Sequence, residues 1–351
     1  MIVVWRMLNK CNLMCPFCAY DKRLDITRTA IDPQRAAEFL EALADYRNIS
    51  GDDVLVSWIG GEPFIWKPLN SLTRKAWDLG LRLGATTNGT RLGSEAVRQH
   101  ICRYYSELTI SLDGFAAFHE PMRGWPGGFE NLSRWVPALA GEARAAGTAP
   151  QRGNTPPQFS GGLNVSAGNE FDSPLTPLKL RINTVLMRQN IDDFPKLCLT
   201  LAGWGINEIT FNQLGGRDRP EFFPEHRLRP ADIDKLENML PELRAGLEAK
   251  GVTLVGGSNY LKRLRASALG EPNPVADCHP GERFLFIDET GRAAPCNFAI
   301  NDYHVDIDGL KTGAQIKALP ENFLRMKKRC RAEVCGDCLS TQVFDKFALE
   351  K

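Results

Sequence analysis

The chain has 351 residues, 43% of them apolar and 24% charged, with a formal net charge of +1. That balance suits a globular protein with a sizeable core and offers no overall basic field to nucleic acid or to a membrane surface. No apolar run nears the roughly 20 residues of a membrane helix, residues 1–10 are too short for a signal peptide, and ten cysteines without an export signal point to metal or redox work in a reducing, cytoplasmic setting rather than to disulfides.

Ile2 to Trp5 reads as a strand and runs into a loop bearing Cys11, Cys15 and Cys18. Asp32-Pro33 supplies an N-cap and a first-turn proline, and Ala36, Phe39, Leu40 and Leu43 then give a helix one apolar face. The strand-like run Val54–Ile59 ends in Gly60-Gly61-Glu62-Pro63. A helical pattern over 69–83 leads into Gly84-Ala85-Thr86-Thr87-Asn88-Gly89, and another over 94–105 into a strand ending Ser111-Leu112-Asp113-Gly114. Helix-like sequence follows at 129–146. Residues 141–177, rich in Gly and Pro, read as a lid, a disordered insertion or a tolerated surface insertion. A strand over 178–186, a helix over 194–201, a strand over 208–211 and an amphipathic helix through Ile233, Leu236, Leu240, Leu243 and Leu247, with Pro241 as a kink point, complete the pattern. Six alternating strand–helix units predict an α/β fold with a parallel sheet.

The three thiols are spaced C-x3-C-x2-C, with Phe17 just before the last. So short a loop can wrap one face of a [4Fe–4S] cube and leave one iron open. Structural zinc would want a fourth ligand, and none lies nearby; a packed core is an improbable use of three thiols on one polar loop.

This arrangement resembles the radical S-adenosylmethionine (SAM) family. The resemblance implies a partial (β/α)6 TIM-like barrel over residues 1–250, in which Cys11, Cys15 and Cys18 hold a [4Fe–4S] cluster whose open iron binds SAM. Barrels of this kind gather chemistry at the C-terminal strand ends. Gly60, Gly61, Glu62 and Pro63 match the family's motif after the second strand, 42 residues beyond the third cysteine. There Glu62 would face the SAM ammonium. Asn88, Ser111 and Asp113 sit where SAM or substrate contacts are expected, Arg123 where the SAM carboxylate is, and Asn183 where the ribose is. Each also has an ordinary turn or loop role available.

Beyond a connecting segment, 251–274, residues 275–351 change character. Phe284–Ile287 and Ala293–Pro295 read as a hairpin turning at Thr290-Gly291. Cys278 and Cys296 are separated by 17 residues, and Cys335 and Cys338 form a distant C-x2-C. This resembles the twitch subdomain, a shortened SPASM domain, and implies an auxiliary [4Fe–4S] cluster on Cys278, Cys296, Cys335 and Cys338. A zinc ribbon is the rival. Cys330 stands outside as a surface thiol among Lys327, Lys328, Arg329 and Arg331, or as a hydrogen-atom donor. Cys102 and Cys198 read as core residues, His119 as an exposed helix residue and His279 as a loop residue.

Only ten residues precede Cys11, which argues against a leader-peptide domain and for a small polar substrate: an aminosugar, aminocyclitol or nucleoside sugar of antibiotic or other secondary metabolism. The expected reaction is oxidation at a carbinol carbon, with a flavodoxin- or ferredoxin-type electron donor. Epimerisation, decarboxylation and maturation of a ribosomal peptide are alternatives within the family. A two-cluster electron carrier is the non-enzyme alternative, and it leaves Glu62 and the strand-end motifs unexplained.

Overall fold

The computed structural model describes residues 1–148, 178–216, 219–275, 277–341, 343–344 and 346–347. Six strands pair in sequence order, each parallel to the one before: β1 (Ile2–Leu8), β2 (Leu55–Gly60), β3 (Arg82–Thr87), β4 (Glu107–Ser111), β5 (Lys179–Leu186) and β6 (Glu208–Gln213). The crossovers carry α1 (Pro33–Ser50), α2 (Leu69–Asp78), α3 (Glu95–Tyr104), α4 (Ala116–Arg123), α5 (Gly128–Thr148) and α6 (Phe194–Ala202). After β6 come α7 (Phe223–His226), α8 (Pro230–Glu248), β7 (Thr253–Leu254) and α9 (Ser258–Leu269), and β7 extends the sheet beyond β6. The partial-barrel expectation fits this architecture.

The two faces of the sheet differ, and the difference creates the site. In β5, Leu180, Ile182, Thr184 and Leu186 are buried, whereas Lys179, Arg181, Asn183 and Val185 are only half covered. Strand alternation puts these sets on opposite faces. The first face packs under helices: Trp5 meets Phe39 of α1 edge-on at 5.5 Å, and Phe211 meets Phe194 of α6 at 5.7 Å. The second lines a lumen with polar side chains, where Arg181 donates to Thr109 and Thr210 to Asn183. A parallel sheet buried on both faces would be apolar throughout; this one keeps an inner face for ligand.

Helix ends follow local chemistry. The Asp32 carboxylate accepts from the Gln34 and Arg35 amides, with Pro33 opening α1. The helix expected over 69–83 stops earlier. Gly80 takes φ 72° just past α2, and β3 begins at Arg82. The leucines at 81 and 83 therefore belong to the approach to β3 and to its alternation, not to a helical stripe. Pro241 lies within α8 without ending it. Of the stretch 141–177, residues 141–148 are the last turns of α5, and 149–177 lie outside the described residues.

The hairpin forms as expected from β8 (Phe284–Ile287) and β9 (Arg292–Ala294), followed by β10 (Val305–Asp306), α10 (Gly313–Lys317) and α11 (Leu319–Arg329). It does not make a sheet of its own. β8 pairs parallel with β1, so the ten strands form one sheet in the order β10-β9-β8-β1-β2-β3-β4-β5-β6-β7. Among the described residues no helix is long and apolar enough to cross a membrane.

Candidate functional site

Everything at the site hangs on the loop after β1. Arg28 shapes it, donating to the carbonyls of Asn9, Tyr20, Asp21 and Leu24 at 2.7–3.2 Å. Asp21, almost fully shielded, is held between Arg23 and Arg219. Burial would raise its carboxyl, but hydrogen bonds from these two arginines bring it down to about 2. Neither Arg28 nor Asp21 had a sequence signature, since their partners are backbone groups or distant residues.

Cys15 is buried and Cys11 and Cys18 are half-buried. Burial first, and then the neighbouring Cys18, Asp113 and Cys11, push the Cys15 thiol up to about 12 against Arg123, which lowers it. A bare thiolate is unfavourable there, so the pocket suits thiolates that share charge with iron. Amide donors are already aimed at sulfur: Leu13 N lies 3.4 Å from Cys11 Sγ, Tyr20 N 3.4 Å from Cys18 Sγ, and Asn88 Nδ2 3.7 Å from Cys11 Sγ. Among the described residues no three His, Cys, Asp or Glu side chains converge on a point one ion could fill; a cube needs its thiols spaced around it. The donor set fits the cluster.

Gly60-Gly61-Glu62-Pro63 is stitched to this loop through its backbone. Gly61 N donates to Leu8 O at 2.9 Å and Glu62 N to Lys10 O at 3.1 Å. A Cβ at Gly61 would collide with the Lys10 carbonyl and lie 2.7 Å from Cys11 N. These are backbone atoms that cannot swing away, so Gly61→Ala should displace the cysteine loop. We expect about 1–3 kcal/mol of lost stability and weaker retention of iron, read by denaturant melts and iron assay. Unaltered iron retention would show that the close approach is not needed.

Glu62 is fully buried at the start of a single 3-10 turn begun by Pro63. It accepts from Thr87 Oγ1 at 2.8 Å, Asn88 N at 2.7 Å and Phe64 N at 3.2 Å. Burial raises its carboxyl to about 7 against these three donors, which lower it. Asn88 joins Glu62 to the cysteine loop, since its amide group also donates to Asn12 Oδ1 at 2.9 Å.

At the end of β4, Asp113 and Arg123 find each other. Arg123 Nε donates to Asp113 Oδ2 at 2.7 Å, Asp113 Oδ1 accepts from Val185 N at 2.9 Å, and both side chains are buried. Burial would lower the guanidinium pKa, but Asp113 and the Cys15 and Cys18 thiols raise it overall. Phe17 lies under the guanidinium at 5.4 Å. His119 corrects the sequence expectation. It is fully buried, not exposed, because the turn after Asp113 folds α4 back on the strand end. Its Nδ1 accepts from Asp113 N–H at 3.2 Å, which places its proton on Nε2, and burial lowers its pKa to about 4. Ser111 and Asn183 stand opposite each other in register on β4 and β5, and Asn183 Oδ1 accepts from Thr210 and Asn212 at 2.9 and 3.0 Å.

The C-terminal thiols also gather. Cys296, raised by burial to about 11, feels Cys338 and Cys335, and Cys338, also raised by burial, feels Cys278 and Cys335. Lys327 Nζ lies 3.5 Å from Cys278 Sγ. Cys330 is exposed and outside the group, at the end of α11. Cys198 is in the core as expected, and Cys102 packs half-buried against it. His279 is an exposed loop residue at φ 44°.

A sheet that is parallel from β8 and β1 through β7 carries the three-thiol loop and the Gly-Gly-Glu-Pro turn at adjacent strand ends, an arrangement consistent with a partial barrel of the radical SAM type. Residues 5–139 match the radical SAM superfamily, so the chain carries a radical SAM domain, which implies a [4Fe–4S] cluster and SAM. It is similar to an AdoMet-dependent heme synthase of Methanosarcina barkeri, 22% identical over 312 residues that cover 85% of this chain and 76% of the relative. A PqqA peptide cyclase of Xanthomonas axonopodis pv. citri is 23% identical over 349 residues, covering 97% and 80%. In fold it is similar to Streptococcus suis SuiB, solved with S-adenosylmethionine (TM-score 0.63, 15% identity, 97% and 71% covered) and with its precursor peptide SuiA.

Proposed function

We propose that the chain is a radical SAM oxidase that modifies a peptide. The observation that carries the oxidative part is the gathering of Cys278, Cys296, Cys335 and Cys338 on the segment that flanks β1, the strand bearing the SAM-cluster loop. Four thiols suit a second, fully ligated [4Fe–4S] cluster. When bound, the groups supply a 5′-deoxyadenosyl radical that removes a substrate hydrogen atom and a nearby acceptor for the electron left behind. The peptide part departs from the small-sugar expectation and rests on the relatives: the cyclase aligned over 97% of this chain is named for a peptide.

The residues divide the work. Cys11, Cys15 and Cys18 hold the first cluster, and Arg28 fixes the loop that presents them. Glu62 would take the SAM ammonium. Arg123, its Nε on Asp113, would take the SAM carboxylate, with Phe17 against the guanidinium. Ser111 and Asn183 would serve the SAM sugar and the substrate, and Asn88 braces Cys11 against Glu62.

One test separates the substrate classes. Reduced, reconstituted protein with SAM is offered peptides with deuterated side chains and, separately, deuterated aminosugars. Deuterium in 5′-deoxyadenosine from a peptide, and a peptide lighter by two hydrogens, is the expected result. Transfer from the aminosugars alone overturns the peptide reading.

Glu62 gives a pH signature. Its carboxyl sits near 7 in the SAM-free protein, and the SAM ammonium favours the ionised form. SAM affinity should therefore fall as pH drops below about 7, by roughly tenfold per unit at the limit. Glu62→Gln should bind SAM weakly and lose that slope. Equal affinity at pH 6 and pH 8 in the wild type, by equilibrium dialysis, would remove Glu62 from this role.

A further inference from the structure

The lumen holds a lysine that none of the chemistry above uses. Lys346, far along the chain from the barrel strands, is only 3% exposed. Its Nζ is 2.7 Å from Asn212 Oδ1, 5.7 Å from the Tyr260 ring centre and 5.2 Å from that of Phe347. Asn212 passes the contact on: its Oδ1 also accepts from Tyr260 Oη at 3.3 Å, and its Nδ2 donates to Asn183 Oδ1 at 3.0 Å. Lys346 is thus one side chain away from Asn183, which faces Ser111 at the strand ends. The segment is held in place on both sides. Arg263 donates to Cys338 O at 3.2 Å and covers Phe344 at 4.9 Å, and Arg181 covers Phe347 at 5.1 Å.

Among the described residues, the charge count in this part of the lumen does not close. Glu107 and Glu208 are taken by Arg181, and Glu208 also by Lys179. Among the described residues no carboxylate lies within ion-pair distance of Lys346. Two acids face three cations, and the surplus positive charge is on the most deeply buried of them. A buried ammonium whose contacts among the described residues are an amide oxygen and ring faces is costly. Burial, with Arg181 adding to it, lowers its pKa to about 7, and Glu208 only partly opposes this. An arriving anion would remove that penalty.

We propose that Lys346 anchors a carboxylate of the substrate, from a peptide's acidic side chain or C-terminus, and so positions the substrate against the Ser111–Asn183 layer. This rests on the reading of the lumen as the substrate site. Carboxylate recognition by a buried lysine gives a point charge in a dry setting, where it counts for more than on the surface.

The test uses glutarate as probe, with glutaramide and chloride at matched ionic strength as controls. It is run at pH 7 on reconstituted protein. Glutarate should raise the wild-type Tm by at least about 2 °C over both controls, and Lys346→Met should abolish the rise. Without anion, Lys346→Met should melt no lower than wild type, because it removes an unpaired buried charge; Lys346→Gln provides a second variant if Met packs poorly. Equal glutarate shifts in wild type and both variants, or no shift in wild type, overturns the proposal. Release of 5′-deoxyadenosine without substrate is measured in parallel. Its absence in wild type would sink the enzymatic reading itself, while its retention in Lys346→Met confines the effect of that change to substrate binding.

Discussion

Replacing Cys11, Cys15 and Cys18 together by Ala should abolish SAM cleavage and halve the iron. Wild-type protein reconstituted without oxygen should hold about eight iron atoms, and the variant about four. The reason is local. The amides of Leu13 and Tyr20 already point at sulfur, and Cys15 sits where a lone thiolate is disfavoured. No other thiol lies in the loop to substitute for the missing ones. Loss of 5′-deoxyadenosine should be complete, since the chemistry has no second route to the radical. A variant that holds no iron but takes up zinc would show that the four C-terminal thiols are a zinc site. A variant that still cleaves SAM would end the assignment of the loop.

Arg123→Met should destabilise the protein by about 3–5 kcal/mol, as well as weakening SAM binding. Asp113 is fully buried, and Arg123 is its single cationic partner among the described residues. Removing the guanidinium strands a carboxylate where water cannot reach. The double variant Arg123→Met/Asp113→Asn should recover part of the loss, because the amide is a smaller burden than an unpaired charge. Its SAM affinity should remain low, since the cation is still missing. Urea unfolding gives the first quantity and equilibrium dialysis the second. If the single variant is as stable as wild type, the pair is not shielded as described. If the double variant regains SAM affinity, Arg123 is not a carboxylate ligand.

Much of this site was legible in the sequence because its chemistry is local in the chain. The spacing of the three thiols, the Gly-Gly-Glu-Pro turn and the Asp32-Pro33 cap are each contained within a few residues. Their physical reasons are visible without a fold: close backbone approach at Gly61, a fixed φ at Pro33, three soft ligands in one loop. Partnerships were not legible. Asp113 and Arg123 were each read as reaching for a ligand, yet they bind each other, a fact that depends on α4 folding back on β4. His119 was read as an exposed helix residue, and nothing local in the sequence shows the fold-back of α4 that buries it. Lys346 was missed because it lies outside every motif, and only the path of the segment after Cys338 brings it to Asn212. The hairpin was found, but not its neighbour: nothing in Phe284–Ile287 says that its open edge will pair with β1.

That pairing sets an order on how the protein can be made. β1 leaves the ribosome well before β8, and one of its two edges waits for that strand, on the far side of some 280 residues. The ties across this gap reach the loop itself: Arg6 pairs with Glu289, Arg6 Nη1 donates to Tyr20 Oη at 2.6 Å, and Asn9 Nδ2 donates to Glu289 at 3.3 Å. Contacts so distant in sequence form late and slowly. During synthesis the nascent barrel therefore carries an open strand edge beside three uncommitted thiols, a combination prone to mispairing and oxidation. The cysteine loop therefore gains its full set of supporting contacts only once the β8 segment, including Glu289, has been made.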